Sequence, residues 1–382
     1  MSEHSHDLET RLVHAGERRI DGAVVGPTFP SSTYLIEGDA GYHDLRYLRL
    51  SNTPSQVEVA DKIAALEGTE SALVTSSGMS AISTALLTVL SPGDHLLVLD
   101  GPYGGTSTFV SNELARFGVE HSVIPGHDRD AWEAARRDST RAIYVESITN
   151  PLTRVPDLLG MAAFAKEHGL VSLCDNTFAT PLNFRPAEAG YDLVLHSATK
   201  YLNGHSDLVA GAICGRSELL ADIKHRLDHL GGSLDPRACS LLNRGIKTLA
   251  VRLRAQEETA SGLASYLDTR DDISAVHYPG LPGHPDHEHA QELLAGFSAM
   301  LSFQLADGPA ADRFLGALGL ILHAPSLGGV ESLAVRPDTS AHAGLSEEER
   351  EASGIRPGLV RMSVGLESLE DLTKDIDRAL AG

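Results

Sequence analysis

Four residues able to do chemistry each stand at the end of a short apolar run. Lys200 follows DLVLHS in the segment LHSATKYLNGHSD, and Asp175 ends LVSLCD. Tyr103 stands in PYGGT behind HLLVLD, and Asn150 follows RAIYVESIT. After SALVT comes SSGMSAI, where a glycine turn opens a helix and leaves backbone N–H groups free to receive an anion such as phosphate. A lysine amine forms a Schiff base with an aldehyde, and an aspartate partners the nitrogen of a pyridinium ring so that the ring accepts carbanion electrons. Tyr103 offers a face for such a ring to stack on. The Gly78 and Met79 amides and the Ser197 and Thr199 hydroxyls offer donors to its phosphate. Singly, Asp175 is explained as a helix cap, Lys200 as a surface charge and Tyr103 as packing. Arriving together at strand ends, they point to pyridoxal phosphate.

Residues so placed need a sheet whose strands all end on one side. The middle of the chain alternates near-continuous apolar runs with helical stretches such as PSQVEVADKIAALEG and LLGMAAFAKEHG, the pattern of an α/β fold with a mostly parallel sheet covered on both faces by helices. Ligands of such sheets lie beyond the carboxyl ends of the strands. From residue 246 the texture changes to a long amphipathic stretch, KTLAVRLRAQEETASGLASYLDTR, a Pro/Gly-rich segment and the β-type pieces AMLSFQL and LVRMSVGLE. The expected organisation is an N-terminal arm over 1–50, a cofactor-binding domain over 51–245 and a smaller α+β domain over 246–382.

The chain of 382 residues carries 31 Lys+Arg against 52 Asp+Glu, a net charge of -21 without a basic block, which argues against nucleic acid or an anionic membrane as partner. No stretch approaches the roughly 18 apolar residues of a membrane span, and the start has no secretory pattern, so a cytoplasmic location is expected. Cys174, Cys214 and Cys239 are far apart and form no CxxC pair, consistent with a reducing compartment. Cys174 reads as a buried structural thiol. The cluster GHPDHEHA, with His284, Asp286, His287, Glu288 and His289, is read as a surface loop, and no metal is expected.

The segments LHSATKYLNGHSD, CDNTFATPLNFRP, SSGMSAIST, YGGT, ESITNPL, SLGGVESL and LVRMSVGLE closely resemble the Cys/Met metabolism family of pyridoxal phosphate enzymes, the transsulfuration group of cystathionine and methionine lyases, cystathionine γ-synthase and O-acylhomoserine sulfhydrylases. The likeness runs from TRLVHAGE at Thr10 to the final helix. It implies fold type I and a homotetramer of two active dimers. It also implies that Lys200 bonds the cofactor, Asp175 pairs with its pyridine nitrogen, and Tyr103 stacks on the ring and assists proton transfer. Gly78, Met79, Ser197 and Thr199 are implied to bind the phosphate, with Tyr47 and Arg49 reaching the phosphate of the neighbouring subunit. Arg361 is implied to clamp the substrate carboxylate, with Asn150 and Ser332 nearby, a task suited to a guanidinium fork.

Two positions depart from the family's cystathionine enzymes. Arg46 replaces an acidic residue before the Tyr-x-Arg, and Thr108 replaces an arginine after YGGT, near the expected distal end of the substrate. The expected reaction is γ-elimination on a sulfur-containing or homoserine-derived L-amino acid, giving a 2-oxo acid and ammonia. The alternatives are γ-replacement, a specialised lyase on a non-standard amino acid, an aminotransferase and a non-catalytic binding module. The joint presence of Lys200, Asp175 and Arg361 weighs against the last.

Overall fold

The computed structural model describes residues 6–36, 38, 41, 45–340, 342–344 and 346–382. The arm expected over 1–50 therefore lies partly outside the described residues.

The first sheet has seven strands: β1 (Ser71–Thr75), β2 (His95–Leu99), β3 (Glu120–Ile124), β4 (Thr140–Glu146), β5 (Val171–Asp175), β6 (Leu193–His196) and β7 (Gly211–Gly215). They lie in the order β1-β7-β6-β5-β4-β2-β3. The pairings β2–β3, β2–β4, β4–β5 and β5–β6 are parallel, while β7 runs antiparallel to both β1 and β6. Alternate residues serve opposite faces. Leu97, Ile143, Val145, Cys174 and Val194 enter one apolar core, and Leu96, Val98, Ala142, Leu173 and Leu195 enter the other. Burial on both faces is why these strands read as unbroken apolar runs, each large side chain contributing about 1.5–3 kcal/mol.

Helices return the chain between strands, and their ends follow local chemistry. Helix Pro54–Glu67 begins with a capping box in which Thr53 and Gln56 satisfy each other's backbone donors, and it ends on Gly68 at φ 72. Its last residue, Glu67, is fully buried and accepts from His196 Nε2 at 2.5 Å and from Asn176 Nδ2 at 3.0 Å. This carboxylate ties the helix to the ends of β5 and β6.

The second sheet has the order β10-β11-β12-β9-β8, with β8 (Ala275–His277), β9 (Met300–Gln304), β10 (Leu322–His323), β11 (Leu333–Val335) and β12 (Leu359–Ser363). Helices Leu249–Asp268 and Leu369–Ala381 bury Leu263, Leu267, Leu372 and Ile376 in the core that this sheet shares. No helix among the described residues is long and apolar enough to cross a membrane.

Candidate active site

Beyond the carboxyl ends of β1, β4, β5 and β6, and under the second sheet, lies a cavity of about 880 Å³. Gly78, Met79, Tyr103, Asn150, Asp175, Ser197, Thr199, Lys200 and Arg361 all line it. Residues from Gly78 to Lys200 are brought together because parallel strands deliver their last residues to one edge, and Arg361 is added from the second sheet.

Helix Gly78–Val89 starts at the cavity, with the Ser77 side chain accepting from Ser80 N at 3.0 Å. Gly78 is required there, because a Cβ would stand 2.7 Å from Ser197 Cβ. The helix start is thus pressed against the turn that carries Ser197, Thr199 and Lys200.

Asp175 accepts from Thr177 N at 2.9 Å, from the Thr177 hydroxyl at 2.5 Å and from the Tyr144 hydroxyl at 3.3 Å. Burial raises its pKa, while the Thr177 donors favour the anion. Lys200 Nζ donates to Ser326 Oγ at 2.8 Å. Burial, and then the charge of Arg361, bring the Lys200 amine down to about 8.

Arg361, on β12, is 5 % exposed and reaches the cavity from the second sheet. Its Nη1 donates to Asn150 Oδ1 at 3.2 Å and its Nη2 to the Ser326 carbonyl at 3.1 Å. Its Nε is sealed from solvent with no partner among the described residues, and burial lowers the guanidinium to about 10. A buried guanidinium with a donor to spare is built to receive an anion. Tyr103 donates its backbone N–H to Glu146 Oε1 at 2.6 Å, and its ring lies so close over Gly105 that a Cβ there would stand 2.5 Å from Cε1.

Other expected residues stand elsewhere. Ser332 is fully buried outside the cavity lining, donating its hydroxyl to Glu367 Oε2 at 2.8 Å and accepting from Gly365 N at 2.8 Å. Expected beside the substrate, its hydroxyl is instead spent inside the protein. Ser326, six residues earlier in the same segment, lines the cavity where Ser332 does not. Glu146 and Thr177 also line the cavity, and Tyr144 reaches Asp175 from β4; nothing in the sequence marks these three. Tyr47 and Arg49 lie outside their own chain's cavity. Arg49 donates to the Asp228 carbonyl at 2.5 Å, and its guanidinium lies 5.8 Å from the Tyr47 ring. Arg46 lies 5.6 Å from the Tyr34 ring, and Thr108 is an exposed residue beside Gly344. Neither lines the cavity.

The donor set fits pyridoxal phosphate. A buried lysine amine suits the aldehyde, a carboxylate the pyridine nitrogen, and a helix start without a Cβ, flanked by two hydroxyls, the phosphate.

Residues 9–381 match the family model described as Cys/Met metabolism PLP-dependent enzyme. The cystathionine beta-lyase of Lactococcus lactis subsp. cremoris (strain MG1363) is 41% identical over 98% of both chains. The cystathionine gamma-lyase of Bacillus subtilis (strain 168) is also 41% identical, covering 97% of this chain and 98% of that one. The crystal structure of cystathionine gamma-lyase from Lactobacillus plantarum complexed with L-serine superposes with a TM-score of 0.94 at 36% identity, covering 98% of this chain and 99% of that one. The fold is accordingly that of the fold type I pyridoxal phosphate enzymes. With the lysine, the carboxylate and the helix start already in place around one cavity, a match over nearly its whole length establishes that this chain belongs to the Cys/Met metabolism family of PLP-dependent enzymes.

Proposed function

We propose that the protein is a carbon–sulfur lyase that expels a thiol from Cγ of an L-amino acid of the cystathionine type, giving a 2-oxo acid and ammonia. One observation carries the reading: Lys200 and Arg361 meet on the same residue, Ser326. An amino acid with its carboxylate on Arg361 then has its α-carbon within reach of the lysine amine.

Bound in the cavity, pyridoxal phosphate supplies an electron sink for the charge that develops at Cα. The rest falls to the chain. Gly78, Met79, Ser197 and Thr199 hold the phosphate, Asp175 keeps the ring nitrogen protonated, and Tyr103 covers the ring. Arg361 and Asn150 orient the substrate carboxylate. Lys200, as a neutral amine, takes the Cα proton and carries protons to and from Cβ; an amine brought down to about 8 is well matched to that exchange near neutral pH. Tyr47 and Arg49, with Arg46 beside them, serve the site of a neighbouring copy in a homotetramer of two active dimers. The enzyme works in the cytoplasm.

β-Elimination is the second reading, favoured by the name of the Lactococcus relative. Mass spectrometry of products, after incubation with pyridoxal phosphate and L-cystathionine, methionine, homocysteine or O-acylhomoserines, separates the readings. 2-Oxobutyrate supports γ-elimination, pyruvate β-elimination, and a γ-substituted product in the presence of cysteine γ-replacement. Transfer of the amino group to an added oxo acid would make it an aminotransferase, and unchanged substrates would leave a binding module.

A further inference from the structure

The last residues of β4 and β5, Glu146 and Asp175, are partners in the parallel register, so two carboxyl groups leave the sheet side by side. Both line the cavity. Neighbouring carboxylates in a site drawn away from water do not both keep a negative charge; one holds a proton.

The donors decide which. Asp175 accepts from Thr177 N, the Thr177 hydroxyl and the Tyr144 hydroxyl. Glu146, 5 % exposed, accepts from the Tyr103 amide. Tyr144 shares a strand and a face with Glu146, yet its hydroxyl is turned to Asp175. The cations of the cavity do not restore the balance: Lys200 is bonded to Ser326, and Arg361 to Asn150 and Ser326.

We infer that Glu146 is a positioning residue for the reaction, a carboxylic acid that keeps its proton, leaves the negative charge of the pair on Asp175 and pins the backbone of Tyr103. Burial, and then the charge of Asp175, push the Glu146 carboxyl well above the carboxylate range. The inference rests on the roles proposed above for Asp175 and Tyr103. It adds that the site carries one negative charge for one protonated ring nitrogen, and that the second carboxyl spends its oxygen on the tyrosine backbone.

The test uses the holoenzyme. Infrared difference spectra of wild type against Glu146→Gln should show the carbonyl band of a buried protonated carboxylic acid near neutral pH, present in the wild type and absent in the variant. Glutamine still accepts from the Tyr103 amide, so the pH midpoint of the cofactor's visible absorption should move by less than about half a unit. Glu146→Ala frees Tyr103, and kcat/KM should fall roughly tenfold while that midpoint stays in place. A midpoint lowered by about one unit or more in Glu146→Gln would mean that an anion had been removed, and would overturn the inference. So would a wild-type spectrum without the band, or an unchanged kcat/KM in Glu146→Ala. If the alanine variant does not fold, the glutamine spectra still decide. A wild type that forms no lyase products would sink the proposed reaction and leave the infrared result standing, so the two fail separately.

Discussion

Ser326 stands between Lys200 and Arg361: its hydroxyl accepts from Lys200 Nζ at 2.8 Å, and its carbonyl accepts from Arg361 Nη2 at 3.1 Å. Its φ of 97 lies in a region costly for any residue with a side chain. Replacing Ser326 with Gly relieves that strain but frees the lysine. The expected result is a protein more stable by about 1 kcal/mol in thermal unfolding, with kcat reduced about fivefold. Unchanged turnover would show that the hydroxyl is not needed.

Replacing Lys200 with Ala should remove the visible absorption of the bound cofactor and lower turnover by more than about 10³-fold. A variant with the wild-type spectrum would take Lys200 out of its assigned role.

Arg361→Lys keeps a cation and loses the fork. Nη1 and Nη2 hold Asn150 and Ser326 now, and a lysine cannot reproduce both while also receiving a carboxylate. KM should rise roughly 10–100-fold, the equivalent of about 1.5–3 kcal/mol for charged hydrogen bonds. A steady-state series on the best substrate checks it.

The amine of Lys200 titrates near 8, because burial and the charge of Arg361 disfavour its cation. Only the neutral amine attacks an aldehyde. Uptake of pyridoxal phosphate by the apoprotein, followed by its visible band, should therefore speed up as pH rises to about 8 and level off above it. A rate still climbing toward 10 would place the amine at its ordinary value.

Asp286 holds the loop of the GHPDHEHA segment to the strand side of the fold, accepting from Arg154 Nε at 2.6 Å, Arg154 Nη2 at 2.9 Å and Val155 N at 3.0 Å. Burial pushes its carboxyl up, but the Arg154 fork and the Val155 amide prevail and hold it below the carboxylate range. Such a group stabilises the fold above the ordinary carboxylate pKa, and that stability is lost as pH falls through its lowered value. Asp286→Asn should cost about 1.5–3 kcal/mol at neutral pH and weaken the dependence on acid, as read from urea unfolding at two pH values.

The legible part of this molecule is the part where chemistry and sheet geometry coincide. Asp175 and Lys200 could be found because β5 and β6 are apolar runs buried on both faces, and such runs end where ligands lie. β7 was not foreseen: GAICG has only three side chains between two glycines and runs antiparallel to β6 with no helix joining the two, so neither an apolar run nor a strand–helix–strand pattern marks it. β3 escaped for the opposite reason, since it lies at the sheet's edge with largely uncovered side chains and no apolar run. Ser326 and Ser332 share one segment and look alike in sequence. Only the path of the chain, with its turn at Ser326 and the Glu367 carboxylate waiting for Ser332, tells the cavity-lining serine from the one bonded inside the protein.

The tight fit of Gly78 against Ser197 has a further consequence. With no side chain between them, the helix start and the turn bearing Lys200 lie in backbone contact, so the span from phosphate donors to amine is set by the backbone as a ruler is set by its marks. On the proposed roles, an aldehyde is accepted by length as well as by chemistry. An analogue that lengthens the arm between ring and phosphate is gripped at one end or the other, never at both, and pyridoxal without its phosphate is gripped at the lysine end alone.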